Sequence, residues 1–172
     1  MTAPPAAAPI IVTATFGDGD NGWLQQARRD HYPADRNRVP AHLTLFHQLP
    51  PGIGPELSRR LAAATAAPPP PAWIAGIADL GGGTAYRVES EALTIIREEL
   101  AAALHGLLTS QDQNSWRPHV TIQNKVDSKV AKALQQRLKA TFEPRPLSIR
   151  GLASWYYRGG PWEPIREHVF RR

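Results

Sequence analysis

Two stretches decide the reading of this chain: Val39-Pro40-Ala41-His42-Leu43-Thr44-Leu45 and Arg117-Pro118-His119-Val120-Thr121-Ile122. Each carries His-x-Thr-hydrophobic just behind a proline. The two histidines stand 77 residues apart in a chain of 172. A proline entering an alternating apolar run predicts the start of a strand. On a strand, residues two apart share a face. His42 and Thr44 are therefore expected to point one way, with Leu43 and Leu45 pointing the other. His119 and Thr121 repeat that arrangement over Val120 and Ile122. Two half-chains, each presenting an imidazole and a hydroxyl, are expected to face each other across a cleft. One histidine then acts as base and the other as acid.

The same alternation extends outward from each motif. Phe46 and Gln48 continue the His42/Thr44 face, and Gln123 and Lys125 continue the His119/Thr121 face. Phe46 is a candidate for stacking on a base and Lys125 for contacting phosphate. Tyr86 or Arg87 in one hairpin, and Tyr157 or Arg158 in another, occupy corresponding places and are candidates for lining the pocket. Parity alone does not choose within either pair. Trp155 and Trp162 read as packing residues, and Trp116 as shaping the cleft mouth. His31, His47, His105 and His168 lack a paired context and read as structural or surface residues.

Around the motifs the pattern alternates between strands and helices. Residues 10–16 predict a β-branched core strand, 17–22 a loop, 23–29 a short helix and 31–40 a loop. Strand 41–49 follows, then a helix over 55–67, stopped by the prolines at 68–71. Residues 73–80 and 84–89 predict a hairpin about Gly81-Gly82-Gly83. That glycine run lacks GxxxxGK[ST] and reads as a turn. Ser90 is expected to cap a helix over 91–108 with Leu93, Ile96, Leu100, Leu104 and Leu107 as its apolar stripe. A loop over 109–117 leads to strand 119–126. Ser128 is then expected to cap a helix to about 140, with Val130, Leu134 and Leu138 on one face. Strands 147–158 and 162–170 flank a turn at 159–161. This order predicts an α+β chain with largely antiparallel sheets and an internally duplicated architecture.

Bulk properties narrow the function. The formal charge is +5 and the sequence pI about 10.0. Lysine occurs only at 125, 129, 132 and 139, so arginine carries most of the positive charge. Guanidinium suits phosphate, and the balance points to an anionic partner such as nucleotide or RNA. The bland alternative is a solvated basic surface. There is no cysteine, which excludes disulfides, thiol nucleophiles and Cys-type zinc sites. No apolar run is long enough to span a bilayer. Residues 1–9 are Ala/Pro-rich without a basic n-region, and are expected to form a disordered lead-in. A cytoplasmic monomer with no obligate protein partner is the expectation.

These residues resemble the 2H phosphoesterase superfamily, and within it the bacterial 2′-5′ RNA ligase-like branch. The most specific parts are PAHLTLFHQLP (40–50), RPHVTIQNKV (117–126) and the tail ASWYYRGGPWEP (153–164). The resemblance covers roughly residues 10–170. It implies one bilobal domain over 10–172, with two pseudo-symmetric lobes, each an antiparallel sheet with flanking helices, and a cleft between the sheets. It also implies cleavage of cyclic phosphodiesters, such as a 2′,3′-cyclic phosphate on a nucleotide or RNA end, with no metal and no cofactor. Some members join RNA ends through a 2′-5′ linkage without ATP. Histidine, with an ordinary pKa near 6.5, can move either proton in such a reaction. Thr44 and Thr121, about 6.6 Å along the strand from each histidine, would donate to the phosphate oxygens. The competing expectation is a non-catalytic nucleotide- or RNA-binding module on the same fold.

Overall fold

The β-branched run Ile10–Phe16 forms β1, and the chain closes two antiparallel sheets around it and around a second hairpin. The computed structural model describes residues 7–172. In order come β1 (Ile10–Phe16), α1 (Asp18–His31), β2 (Leu43–Leu49), α2 (Gly54–Ala64), β3 (Ala72–Asp79), β4 (Thr84–Glu89), α3 (Glu91–Ala103), α4 (Ser110–Gln113), β5 (His119–Gln123), α5 (Ser128–Thr141), β6 (Arg145–Leu147), β7 (Ile149–Tyr156) and β8 (Glu163–Val169). One sheet has the order β2-β1-β7-β8 and the other β5-β4-β3-β6. Every neighbouring pair is antiparallel. The α+β, two-sheet expectation holds.

The lobes are not the two half-chains. The first sheet takes β1 and β2 from the start of the chain and β7 and β8 from its end, while β3 to β6 build the second. The expected single strand over 147–158 is the crossing point. It breaks at Ser148, leaving β6 in one sheet and β7 in the other. Ser148 is held there by its neighbours: its N–H donates to Asp20 Oδ2 at 2.7 Å, and its carbonyl accepts from Gly17 N at 3.1 Å. A Cβ on Gly17 would lie 2.6 Å from Ser148 Oγ. Asp20 also binds Arg145 at 3.1 Å. These bonds explain why α1 begins at Asp18, although residues 17–22 read as a loop. Acidic side chains suit a helix N-terminus, and a tertiary tie outweighs the weak propensity of Gly19 and Gly22.

Other boundaries differ for local reasons. Ser90 does cap α3, accepting from Leu93 N at 3.1 Å. The helix ends at Ala103, short of the expected 108, and the chain turns at Gly106 with φ 87°, a conformation glycine adopts freely. On α5 the buried positions are Ala131, Leu134 and Gln135, while Val130 is exposed. Gln135 turns the helix face inward because its amide donates to Gly83 O at 3.1 Å and Asp79 Oδ1 at 3.0 Å. Of the expected lead-in, residues 1–6 lie outside the described residues. Ala8 is buried, and Pro9 O accepts from Tyr157 N at 3.0 Å.

Both motif strands lie at the edge of their sheets, and β2 packs against β5. An edge strand leaves backbone groups unpaired, and inside a protein those groups need partners. Here the partners are side chains. Arg28 of α1 donates to Thr121 O at 2.8 Å. Arg97 of α3 donates to Leu45 O at 3.2 Å, and Trp116 Nε1 to Thr44 O at 2.9 Å. The Asp112 carboxylate accepts from His47 N at 2.9 Å and Gln48 N at 3.1 Å. Both arginines are buried, and each lies over an aromatic ring: Arg28 over Tyr32 at 4.4 Å and Arg97 over Phe46 at 4.5 Å. The long helix preceding each motif strand therefore sends a buried guanidinium to the motif strand of the opposite sheet.

Candidate active site

Each motif orients its histidine with the same local device. His42 Nδ1 lies 2.7 Å from Pro40 O, and His119 Nδ1 lies 2.8 Å from Arg117 O. A carbonyl oxygen can only accept, so each Nδ1 carries a proton and each Nε2 is the ring atom left to exchange one. Both imidazoles and both threonines are half-buried, while the residues between them, Leu43 and Val120, are buried. The predicted alternation therefore holds from His42 to Thr44 and from His119 to Thr121.

The alternation then breaks in both strands at the same place. In β2, Thr44 pairs with Thr13 but Phe46 pairs with Val12, leaving Leu45 as an extra residue. In β5, Thr121 pairs with Ala85 but Gln123 pairs with Thr84, leaving Ile122 extra. A one-residue bulge reverses every side chain beyond it. Phe46 thus turns to the core side with Val12, fully buried beneath Arg97. The expectation that Phe46 stacks on a base is corrected by that geometry. Gln123 likewise turns inward, accepting from Thr84 Oγ1 at 2.9 Å. Lys125 does not continue the face, since β5 ends at Gln123 and Lys125 is exposed in a left-handed turn with φ 62°.

Register resolves the hairpin candidates. Arg87 pairs with His119 and Ala85 with Thr121, so Arg87 shares the face of His119 and Thr121. Its guanidinium lies across Gly76, where a Cβ would come within 3.1 Å of it, and pairs with Glu89. Tyr86 faces the opposite side, buried and stacked on Trp23 with ring centroids 5.0 Å apart. Tyr86 as a pocket-lining residue is therefore a second correction. Tyr157 lies one residue beyond β7, exposed, and Arg158 binds Glu163 at 2.7 Å.

Trp162, expected to be a packing residue, has its ring centroid 4.5 Å from that of His42. Trp155 sits 6.2 Å behind Trp162 and donates to Thr13 Oγ1 at 3.0 Å, on the face of Thr44. Trp162 stands in a turn 120 residues after His42, which leaves no sequence signal for this contact. Burial holds the His42 pKa down to about 4. The Pro40 bond opposes that shift, and the fields of Arg28, His119 and His47 reinforce it. His42 is thus neutral near pH 7. His47, three residues after the motif threonine, is engaged elsewhere, its Nδ1 2.9 Å from buried Asp112. The described residues contain no group of three or more His, Asp or Glu side chains arranged to hold a metal ion, and no helix among them is long and apolar enough to cross a membrane.

Several solved structures share this architecture. The protein TT0787 of Thermus thermophilus superposes with a TM-score of 0.63 at 16% identity, over 95% of this chain and 98% of that one. E. coli LigT complexed with 3′-AMP gives 0.56 at 14% identity, over 96% and 99%. A structure described only as a phosphoesterase gives 0.54 at 15%, over 96% and 99%. At such identities the likeness establishes the fold. No curated protein matches the chain. The profile of the 2′-5′ RNA ligase superfamily matches residues 16–161, spanning both His-x-Thr motifs and reaching the edge of the turn that bears Trp162, and the chain belongs to that superfamily.

Proposed function

We propose that this chain opens cyclic phosphodiesters, with a 2′,3′-cyclic phosphate on a nucleotide or RNA end as substrate, without a metal ion. The observation that carries the reading is the matched pair of imidazoles, each with Nδ1 fastened to a carbonyl, Nε2 free and a threonine hydroxyl two residues along. His42, neutral near pH 7, takes a proton from water through Nε2 as the water oxygen attacks phosphorus. One ring P–O bond breaks, and His119, as the imidazolium, gives its proton to the departing ribose oxygen. Thr44 and Thr121 donate hydrogen bonds to the non-bridging oxygens, where charge builds in the transition state. Arg87, opposite His119 in the ladder, adds a positive charge on that face. With an RNA 5′-hydroxyl in place of water, the same groups serve ligation through a 2′-5′ linkage.

The test is turnover of 2′,3′-cyclic AMP, and of an RNA oligomer ending in a cyclic phosphate, followed by HPLC with EDTA present. His42→Ala and His119→Ala should each lower kcat by roughly 10²–10⁴-fold with unchanged circular dichroism. Full activity in either variant, or its loss on adding EDTA, would sink the mechanism.

A further inference from the structure

Two helices carry opposite charge on their outward faces. On α3 the outward residues include Glu91, Ile95, Glu98 and Glu99, and the helix's single cation, Arg97, is buried. On α5 Lys129, Lys132, Arg137 and Lys139 all stand exposed, and the helix holds no acidic residue. Surface helices commonly interleave the signs, as Glu56 and Arg60 do on α2. Here the signs are segregated, and among the described residues none of these charged side chains takes part in an ion pair. Lys129 and Lys132, three residues apart on one helix, repel each other.

The two faces also match in spacing. Glu91, Ile95 and Glu99 follow one another at intervals of four, as do Lys129, Ala133 and Arg137, and all six are exposed. Each triplet sets its charges about 12 Å apart along the helix, with an apolar residue midway. Laid side by side, either way round, the triplets pair a carboxylate with a cation at both ends and set isoleucine over alanine. The acidic face has a recess beside it, a cavity of about 440 Å3 lined in part by Pro71, Trp73, Glu91 and Ile95. Trp73 is 49% exposed and Ile95 47%, while Val130 on α5 is 50% exposed. Large apolar side chains exposed side by side mark an interaction surface. Arg97 fastens α3 to β2, whereas α5 lies on β3 and β4. The two faces thus belong to different sheets, both are exposed, and they can meet only between copies.

We infer that α5 of one copy docks on α3 of another, so that the monomer expected from the sequence is the dilute state of a weak head-to-tail assembly. The partner is a second copy of this chain because the chain itself supplies the complementary charge at the complementary spacing. The overall charge of +5 opposes any other approach of two copies and so favours this one orientation. A contact one helix long is smaller than the roughly 800 Å2 per partner of stable complexes, and the association belongs at high protein concentration.

Sedimentation velocity at about 50 mM salt reads it, since a Debye length of about 14 Å keeps facing charges coupled and screens the net charge across the molecule. The weight-average mass should rise as the protein approaches about 1 mM, the scale of a weak contact. Glu91→Lys with Glu99→Lys, or Lys129→Glu with Arg137→Glu, should weaken association at least about tenfold, because two facing pairs become repulsive. Raising the salt to about 300 mM should weaken it as well. A chain with all four substitutions has its two faces exchanged and should associate again. All four positions are exposed, and circular dichroism should not change. A parent that stays monomeric throughout, an association that survives either reversal, or a fourfold variant that stays monomeric overturns the inference. None of these measurements involves turnover, so the hydrolytic reading stands or falls separately.

Discussion

Replacing Arg97 with methionine removes a side chain of α3 that fastens the first motif strand to the helices α3 and α4. Arg97 is 7% exposed. Its Nε donates to Leu45 O at 3.2 Å, one of its terminal nitrogens donates to Asp112 O at 2.7 Å, and the guanidinium lies 4.5 Å from the Phe46 ring. Methionine keeps most of the stem and its packing but leaves two carbonyls without this donor. Each hydrogen bond from a charged donor contributes about 1.5–3 kcal/mol, and the ring contact adds about 1 kcal/mol. Relief of the buried charge returns part of this, so the net loss is about 3 kcal/mol, within the range for removing one partner of a buried polar pair. Urea unfolding followed by tryptophan fluorescence reads it directly. With a slope of about 2 kcal/mol/M, the midpoint should fall by about 1.5 M. Arg97→Lys should recover less than half, because an ammonium cannot span both carbonyls and stack on Phe46. A methionine variant within about 1 kcal/mol of the parent, or a lysine variant as stable as arginine, would refute the view that the guanidinium braces β2.

Three further outcomes follow from the same geometry. If His42 is the base, the acid limb of kcat/KM should fall near pH 4, with activity retained above it and lost as His42 becomes protonated below it; a limb at 6.5 would assign the base elsewhere. Trp162→Ala opens His42 to water, and since burial is the main cause of its low pKa, that limb should move to higher pH while an unshifted limb would show the tryptophan is not what buries it. Asp112 carries a carboxyl whose ionisation burial opposes, yet the His47 ring and the backbone N–H groups of His47 and Gln48 hold its pKa below the usual value. Its contribution to stability is present above the ordinary carboxylate pKa and is lost as pH falls through the depressed folded value, so Asp112→Asn should flatten acid unfolding in that window, measured by circular dichroism against pH.

Much of the fold and the heart of the site are local and therefore legible in the chain. Alternation over His42–Leu45 and His119–Ile122, the proline ahead of each, the capped helix after Ser90 and the glycine-rich hairpin depend on near neighbours along the sequence. Parity misplaces Phe46 because it stops holding at the bulge and Lys125 because β5 ends before it, and it leaves Tyr86 and Arg87 undecided because their facing depends on register with β5. The bulges at Leu45 and Ile122 have no signature of their own; they exist because Val12 and Thr84, on neighbouring strands, fix the register opposite them. Nothing near Trp162 in sequence announces His42, and nothing near Ser148 announces that one predicted strand serves two sheets.

The chain by itself determined that His42 and Thr44, and His119 and Thr121, form two matched polar faces, because a histidine and a threonine two apart on a strand must share a face. Tertiary structure decided how those faces meet. It placed both motif strands at sheet edges, bound their unpaired carbonyls to Arg28 of α1 and Arg97 of α3, and lowered the His42 pKa through burial. Edge pairing, bulges and burial depend on residues scores of positions away, and a linear pattern carries no record of which distant side chain will close an unpaired carbonyl.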